Sequence, residues 1–379
     1  MNDKSEKKNI YQFDVLRGVA IICVFLVHTQ YVIYPHFDFD YGKYFIYIPD
    51  GKDLSKYLSM SPFAFGWMGV ILFFIISGFL IHYVTLKKGV NELDLWSFYN
   101  KRFWRIYPPY LIALLIFTFS QQSVRDVASN PYDFISHLFL YQTFNSNYFF
   151  SINGAFWSLA IEMQLYVLYP IFLSLRNRFK IRKTVMILLV IHVLCTLYWG
   201  TTSSFKNIVI GNLVIRHWFT WGIGAYLAEC YFYKKPFLSK VPLTTLILGF
   251  ILFYFSKLFV FHFATDSLFS TVLIAIIVEK YLSKKSFIMS SFEKGLTIIG
   301  LCSYSFYLMH LPILQELFLR IDLFKLREVH SLLFLSVNAL PVFIIIFSIS
   351  YISYLLIEKK SIGVGELILR KIKFNKKAT

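Results

Sequence analysis

What most constrains this chain is a succession of apolar runs, each about as long as a bilayer is thick. Bounded by charge clusters and prolines, they give ten candidate helices at 12–34, 62–86, 106–122, 155–175, 184–200, 208–231, 243–262, 267–282, 295–314 and 331–357. A span needs roughly 20 apolar residues to cross about 30 Å of hydrocarbon, where a helix satisfies its own backbone hydrogen bonds. Hydrophobic residues make up 57% of the 379 and charged residues only 16%, so no water-soluble core has room for this much apolar surface. The sequence therefore predicts an all-α polytopic protein, multi-pass in the plasma membrane with the lipid bilayer as its main partner. The stretch 132–144 is too short to cross and alternates polar with apolar residues, which predicts an interfacial or re-entrant segment. The first run carries Asp14, Arg17 and His28 and lacks a small-residue cleavage site, so it is expected to stay as a span rather than leave as a signal peptide.

The formal net charge of +17 would point to nucleic acid in a soluble protein. Here topology accounts for it. With the N-terminus inside, the inner segments hold Lys4, Lys7, Lys8, the cations from Lys87 to Arg105 and from Arg176 to Lys183, Lys234, Lys235, Lys240, Lys284, Lys285, Lys294 and a lysine-rich tail. The outer segments hold far fewer: Lys43, Lys52, Lys56, Arg125, Lys206, Arg320, Lys325 and Arg327. The positive-inside rule then predicts both termini in the cytoplasm and an even number of helices. The chain divides into a cytoplasmic segment at 1–11, a ten-helix membrane domain at 12–357 and a basic cytoplasmic tail at 358–379. No nucleic-acid partner is needed. Cys23, Cys195, Cys230 and Cys302 all fall in apolar runs without metal-ligand spacing, so they read as core residues and no metal is expected. Without HExxH, GxSxG, P-loop or GxGxxG in a suitable context, metalloprotease, serine hydrolase and ATPase readings lose their main support.

Ionisable groups inside hydrocarbon are costly, so each is a functional candidate unless it snorkels or pairs structurally. In the first helix Arg17 and His28 are eleven residues apart, about three turns, which places them on one face about 16 Å apart along the axis. Their plainer readings are an anchor paired with Asp14 and a core histidine. Glu162 in 155–175 is expected about 10 Å below the outer surface, near the depth of His28, and a His28–Glu162 pair would form a general base held by a carboxylate. The plainer alternative is an ion pair that only joins helices. Arg102 and Arg105, three apart before 106–122, share a face at the cytoplasmic mouth where paired guanidiniums suit phosphate, although ordinary loop charge explains them too. Tyr304 and His310 in 295–314 are candidates to line an acceptor cavity, and Trp157 and Ser158 beside Glu162 are further candidate substrate contacts. Gly78 in 62–86 reads as a close-packing residue, and His82, His137, His192, His217 and His262 read as structural.

Six pieces in order, FDVLRGVA with its following His28, GVILFFIISGFLI, FYNKRFWRIYPPY, FWSLAIEMQLYVLYP, CSYSFYLMHLP and LLIEKK, resemble the acyltransferase-3 family of integral membrane O-acyltransferases. The resemblance covers nearly the whole chain. It implies a ten-helix enzyme that moves an acyl group, usually acetyl from acetyl-CoA, onto a hydroxyl of an envelope or exported glycan. On matching positions, Arg17 and His28 stand for the family's first-helix arginine and histidine, Arg102 and Arg105 for its arginine pair, and Glu162 for its glutamate after Trp-Ser-Leu. The family often has proline where this chain has Lys360, which blurs only the domain end. The extra extracytoplasmic hydrolase-like domain of some members is not in this sequence, so a second transfer step is expected to need another protein. The expected arrangement is polar: Arg102, Arg105 and Arg17 meet the acyl-CoA phosphates at the cytoplasmic mouth, and His28 with Glu162 activates the acceptor towards the outer face. A covalent acyl intermediate stays open. A transporter or flippase is the competing class, since intramembrane charges also line substrate routes, but no paired repeat is present. An envelope scaffold is a third.

Overall fold

The structure is a computed structural model that describes residues 2–33, 65–119, 130–201, 208–236, 238–256, 262–283, 290–320 and 331–378. Among these residues the chain is all-helical. The outer cations Lys43, Lys52, Lys56, Arg125, Lys206, Lys325 and Arg327, and the inner Lys284 and Lys285, lie outside the described residues.

The helices are α1 (Asn2–Ile33), α2 (Met68–Lys88), α3 (Leu95–Phe119), the short α4 (Pro131–Leu138), α5 (Phe156–Thr201), α6 (Val214–Phe232), α7 (Leu243–Ser256), α8 (His262–Leu282), α9 (Ser291–Leu301), α10 (Ser303–Arg320), α11 (Ser331–Ser353) and α12 (Lys359–Ala378). Among the described residues, Tyr11–Gln30, Met68–Lys88, Phe156–Trp199 and Ala339–Ile372 are each long and apolar enough to cross a membrane. The bent pair α9–α10 meets the same test taken together.

Several expected boundaries shift, each for a physical reason. Residues 155–175 and 184–200 are joined without a loop: α5 runs through both and turns at Lys180, whose φ of 64° and ψ of 157° break the helical path at a single residue. Arg102 and Arg105 are not in a loop before the third span. They lie inside α3, which begins at Leu95 and carries Pro108 and Pro109 in its interior. The span expected at 295–314 is two helices meeting at 75° around Cys302. There the Cys302 thiol donates to the Ile299 carbonyl at 3.4 Å. The final helix does not stop at 357 either. It passes through a π-helical turn, Tyr354–Glu358, and continues as α12, so the expected basic tail is helical up to Ala378. The segment expected to be interfacial forms the eight-residue α4 followed by a 3-10 turn at Gln142–Phe144.

Two helix contacts set the core. In hydrocarbon, apolar side chains gain little from meeting each other, so close backbone approach and interhelical hydrogen bonds decide the packing. Between α1 and α9, Gly18 lies against the Leu296 carbonyl and Gly300 against the Asp14 carbonyl, so closely that a Cβ at either position has no room. Between α2 and α6, Gly78 lies against the Trp221 backbone and Gly224 against that of Ile75 in the same way. Around these contacts Phe79, Phe172, Tyr110, Tyr169 and Trp221 are fully buried.

The α1–α9 contact positions Arg17 next to Gly18, which makes it a sensitive point. Gly300→Leu is expected to push the two helices apart and to cost about 1–3 kcal/mol of stability, read as a lower melting temperature and a broader size-exclusion profile in detergent.

Candidate active site

The site builds outward from the last turns of α1. His28 Nδ1 lies 2.9 Å from His310 Nε2 on α10, with ring centroids 4.9 Å apart. His310 is fully buried, and its Nδ1 sits 2.8 Å from the Tyr307 carbonyl oxygen. A carbonyl can only accept, so His310 Nδ1 carries the hydrogen and its Nε2 accepts. His28 therefore donates through Nδ1 and holds its lone pair on Nε2. The Tyr307 hydroxyl donates to the Ala155 carbonyl at 2.9 Å and accepts from Ser158 Oγ at 2.5 Å, which joins α10 to the first turn of α5. Two of the expected substrate contacts, Ser158 and His310, thus belong to the framework around His28. Trp157, next to Ser158, packs between Phe149 and His217, each 5.9 Å away.

The expected pairing of His28 with Glu162 is not formed. Glu162 accepts a 2.5 Å hydrogen bond from the hydroxyl of Tyr166, one turn further along α5, and Ser77 of α2 donates to the same hydroxyl at 3.3 Å. The physical reason is helical phase: the i,i+4 spacing puts Tyr166 beside Glu162 on its own helix, whereas α10 brings His310 to His28. Arg102 faces this cluster. Its guanidinium lies 3.6 Å above the Phe98 ring and 5.5 Å from the Tyr166 ring, and Nη1 donates to the Phe98 carbonyl at 2.8 Å. Its buried Nε has no hydrogen-bond partner. Tyr304 closes this side of the bundle by donating to the Ile106 carbonyl of α3 at 2.7 Å.

Arg105 is exposed and Arg102 half-buried, and the two lie within electrostatic reach of each other. Arg105 lies within electrostatic reach of Arg17 and Glu358. Arg17 donates to Asp14 at 2.9 Å, as its plainer reading expected. In the sequence Glu358 simply closes an apolar run before Lys359 and Lys360. It is buried in the π-helical turn and accepts from Ser305 Oγ at 2.7 Å, so the widened turn delivers a carboxylate to the start of α10.

A second buried network was also invisible. His82, which read as structural, lies 3.1 Å from Glu229 Oε1 on α6 and 3.2 Å from the Tyr169 hydroxyl on α5, and Arg176 Nε donates to the same Glu229 oxygen at 2.6 Å. With Glu229 ionised beside Arg176, His82 donates from Nε2 and takes the Tyr169 proton donor on Nδ1. Tyr169 in turn stacks on Phe98, 5.1 Å away, directly below the Arg102 platform. The available signal was a lone carboxylate within an apolar run, but its partners sit on two other helices. Among the described residues no three His, Cys, Asp or Glu side chains gather as metal ligands would.

Comparison with known proteins places these features. A family model described as an acyltransferase domain matches residues 10–358, and the chain belongs to that acyltransferase family of membrane proteins. O-acetyltransferase OatA of Staphylococcus aureus is 27% identical over 297 residues, covering 66% of this chain and 46% of the relative. Peptidoglycan O-acetyltransferase OatA of Listeria monocytogenes is 26% identical, covering 69% of this chain and 47% of the relative. The chain spans about half the length of the curated relatives it matches. No solved structure gives a significant match.

Removing one partner of a buried charge network leaves the others uncompensated, at a cost of about 3–5 kcal/mol. Glu229→Ala is accordingly expected to lower the detergent melting temperature more than His82→Ala, since it strands Arg176 as well as His82; paired melting curves check this.

Proposed function

We propose that the chain is a membrane O-acetyltransferase that transfers an acetyl group from cytoplasmic acetyl-CoA to a hydroxyl of a cell-envelope or exported glycan. The observation that carries this reading is the His28–His310 hydrogen bond, whose polarity puts the hydrogen of His28 on Nδ1 within a chain of the acyltransferase family. The naming of relatives as O-acetyltransferases supports acetyl as the group moved, and the Listeria relative's name supports peptidoglycan as one acceptor to test first.

The chemistry follows from the proton positions. An acceptor hydroxyl gives its proton to His28 Nε2 as its oxygen attacks the thioester carbonyl, and the new C–O bond forms a tetrahedral oxyanion. Collapse of that intermediate breaks the C–S bond, and the departing thiolate takes the proton back from the imidazolium. During this cycle His310 accepts from His28 Nδ1–H throughout, and the Tyr307 carbonyl fixes His310, so an imidazole pair serves where a carboxylate was expected. Ser158 and Tyr307 position the α10 backbone behind that pair. Arg102, with its open Nε donor, offers charge-assisted hydrogen bonds to donor phosphate, and Arg17 and Arg105 add positive charge at the same end. Glu162 acts on this side, through Tyr166 beneath Arg102, rather than on His28.

In purified protein with acetyl-CoA and glycan, His28→Ala is expected to lower acetyl transfer by about 10²–10⁴-fold with membrane insertion intact. His310→Ala is expected to lose most of the rate, whereas His310→Gln regains part of it because an amide oxygen can take the His28 N–H. Full activity in His28→Ala sinks the mechanism, and glycan uptake without acetyl-CoA consumption supports a transporter in its place.

A further inference from the structure

We infer that α4, the turn that follows it and the start of α5 form an acceptor-glycan subsite, in which His137, Gln142 and Gln164 take sugar hydroxyls as hydrogen-bond donors. The inference rests on the O-acetyltransferase reading above and names where the acceptor is held.

Three side-chain atoms in this region are buried without a hydrogen-bond partner: His137 Nε2, Gln142 Oε1 and Gln164 Oε1. His137 and Gln142 are fully buried residues. An unmade hydrogen bond on a buried polar atom costs about 1–3 kcal/mol, so each of the three calls for a partner. The character of that partner follows from what the other end of each side chain does. His137 Nδ1 lies 3.1 Å from the Asp133 carbonyl and 3.2 Å from Asp133 Oδ1, both acceptors, so the ring hydrogen is on Nδ1 and Nε2 is a lone pair. Gln142 Nε2 donates to the Phe156 carbonyl at 3.5 Å. Gln164 Nε2 donates to the Leu140 carbonyl at 3.2 Å and to Thr143 Oγ1 at 3.0 Å. Carbonyl oxygens thus fix the orientation of both amides, and all three orphaned atoms are acceptors.

A set of acceptors repels phosphate and carboxylate and selects a ligand rich in O–H donors. A polyol has that chemistry, and the anionic acyl donor does not. The three groups hang on one frame: Gln142 bonds the Phe156 backbone, the His137 ring packs 6.5 Å from the Phe156 ring, and the Leu140 amide that follows bonds the His137 carbonyl at 3.0 Å. Two residues after Phe156, Ser158 holds Tyr307, whose carbonyl orients His310. The first turn of α5 therefore connects these acceptors to the base that would deprotonate a bound hydroxyl. Beside them Phe139 and Phe144 expose 68% and 56% of their surface, giving flat apolar faces of the kind that sugar rings pack against. Because the acceptors are closed to bulk solvent, a hydroxyl that reaches them competes with little water.

The test uses the full chain in lipid nanodiscs, with acetyl-CoA and envelope glycan fragments released from cells that lack this protein. Gln142→Met is nearly isosteric and gives up only the 3.5 Å bond, so it retains the fold. It is expected to raise KM for the glycan about tenfold, and Gln164→Met is expected to do the same, with KM for acetyl-CoA unmoved in both. Wild-type glycan KM in both variants, with unchanged or raised melting temperature, means that the acceptors hold water only and overturns the inference. If instead the unmodified protein transfers no acetyl group at all, it is the O-acetyltransferase reading that has failed.

Discussion

Hydrocarbon offers no hydrogen-bond partner, and the architecture of this protein follows from that single constraint. A polar side chain carried into the bundle must find its partner on another helix, so the polar pairs decide which helices meet. α10 gathers many of them. Its Tyr304 holds the Ile106 carbonyl of α3, its Ser305 holds Glu358 of the π-helical turn, its Tyr307 holds Ser158 and Ala155 of α5, and its His310 holds His28 of α1. Within eight residues one helix reaches four neighbours. The apolar residues fill what lies between, but they carry no instruction about partner.

The same constraint explains where the helices depart from regularity. α9 and α10 bend sharply at Cys302, immediately before the residues that make these contacts, and the final helix widens into a π turn where Glu358 must enter the bundle. A straight helix from 291 to 320 would keep its polar residues in regular phase with one neighbour. The bend changes that phase, so α9 can pack its glycine against α1 near Asp14 while α10 presents His310 to the far end of the same α1 helix. Irregularity is concentrated where the chemistry is proposed to occur.

Two groups of unsatisfied atoms differ in chemical sign. On Arg102 itself the orphaned atom is a donor, Nε of a guanidinium. Around α4 the orphans of His137, Gln142 and Gln164 are acceptors. An anionic acyl donor complements the first group, and a hydroxyl-bearing acceptor complements the second. In the network of His82, Glu229, Arg176 and Tyr169 the polar groups meet one another, and the network supports the Phe98 ring on which Arg102 rests.

Much of this was legible before any tertiary structure. Hydrophobic run length, roughly 20 residues per span, makes the chain a helical membrane protein because only helices or closed barrels satisfy backbone groups in lipid. Arg17, His28, Arg102, Glu162 and His310 stood out because charge and imidazole are costly in apolar surroundings, and they lie within the bundle as that cost demands. What the sequence could not supply was the choice of partner. Periodicity gives the face of a helix on which a residue sits, and hydropathy gives its depth, but neither says which face of which other helix lies opposite. His28 and Glu162 matched in expected depth, yet the bend at Cys302, which no proline or glycine at that position announces, brought His310 to His28 and left Glu162 to Tyr166 on its own helix. His82 and Glu229 are separated by 147 positions and gained meaning only when Gly78 and Gly224 let α2 and α6 touch. Composition and local pattern thus determined that polar groups would be buried and at which level, because transfer from water depends on each residue alone. The pairing belongs to tertiary structure, because a hydrogen bond depends on two atoms and on the path of the chain between them.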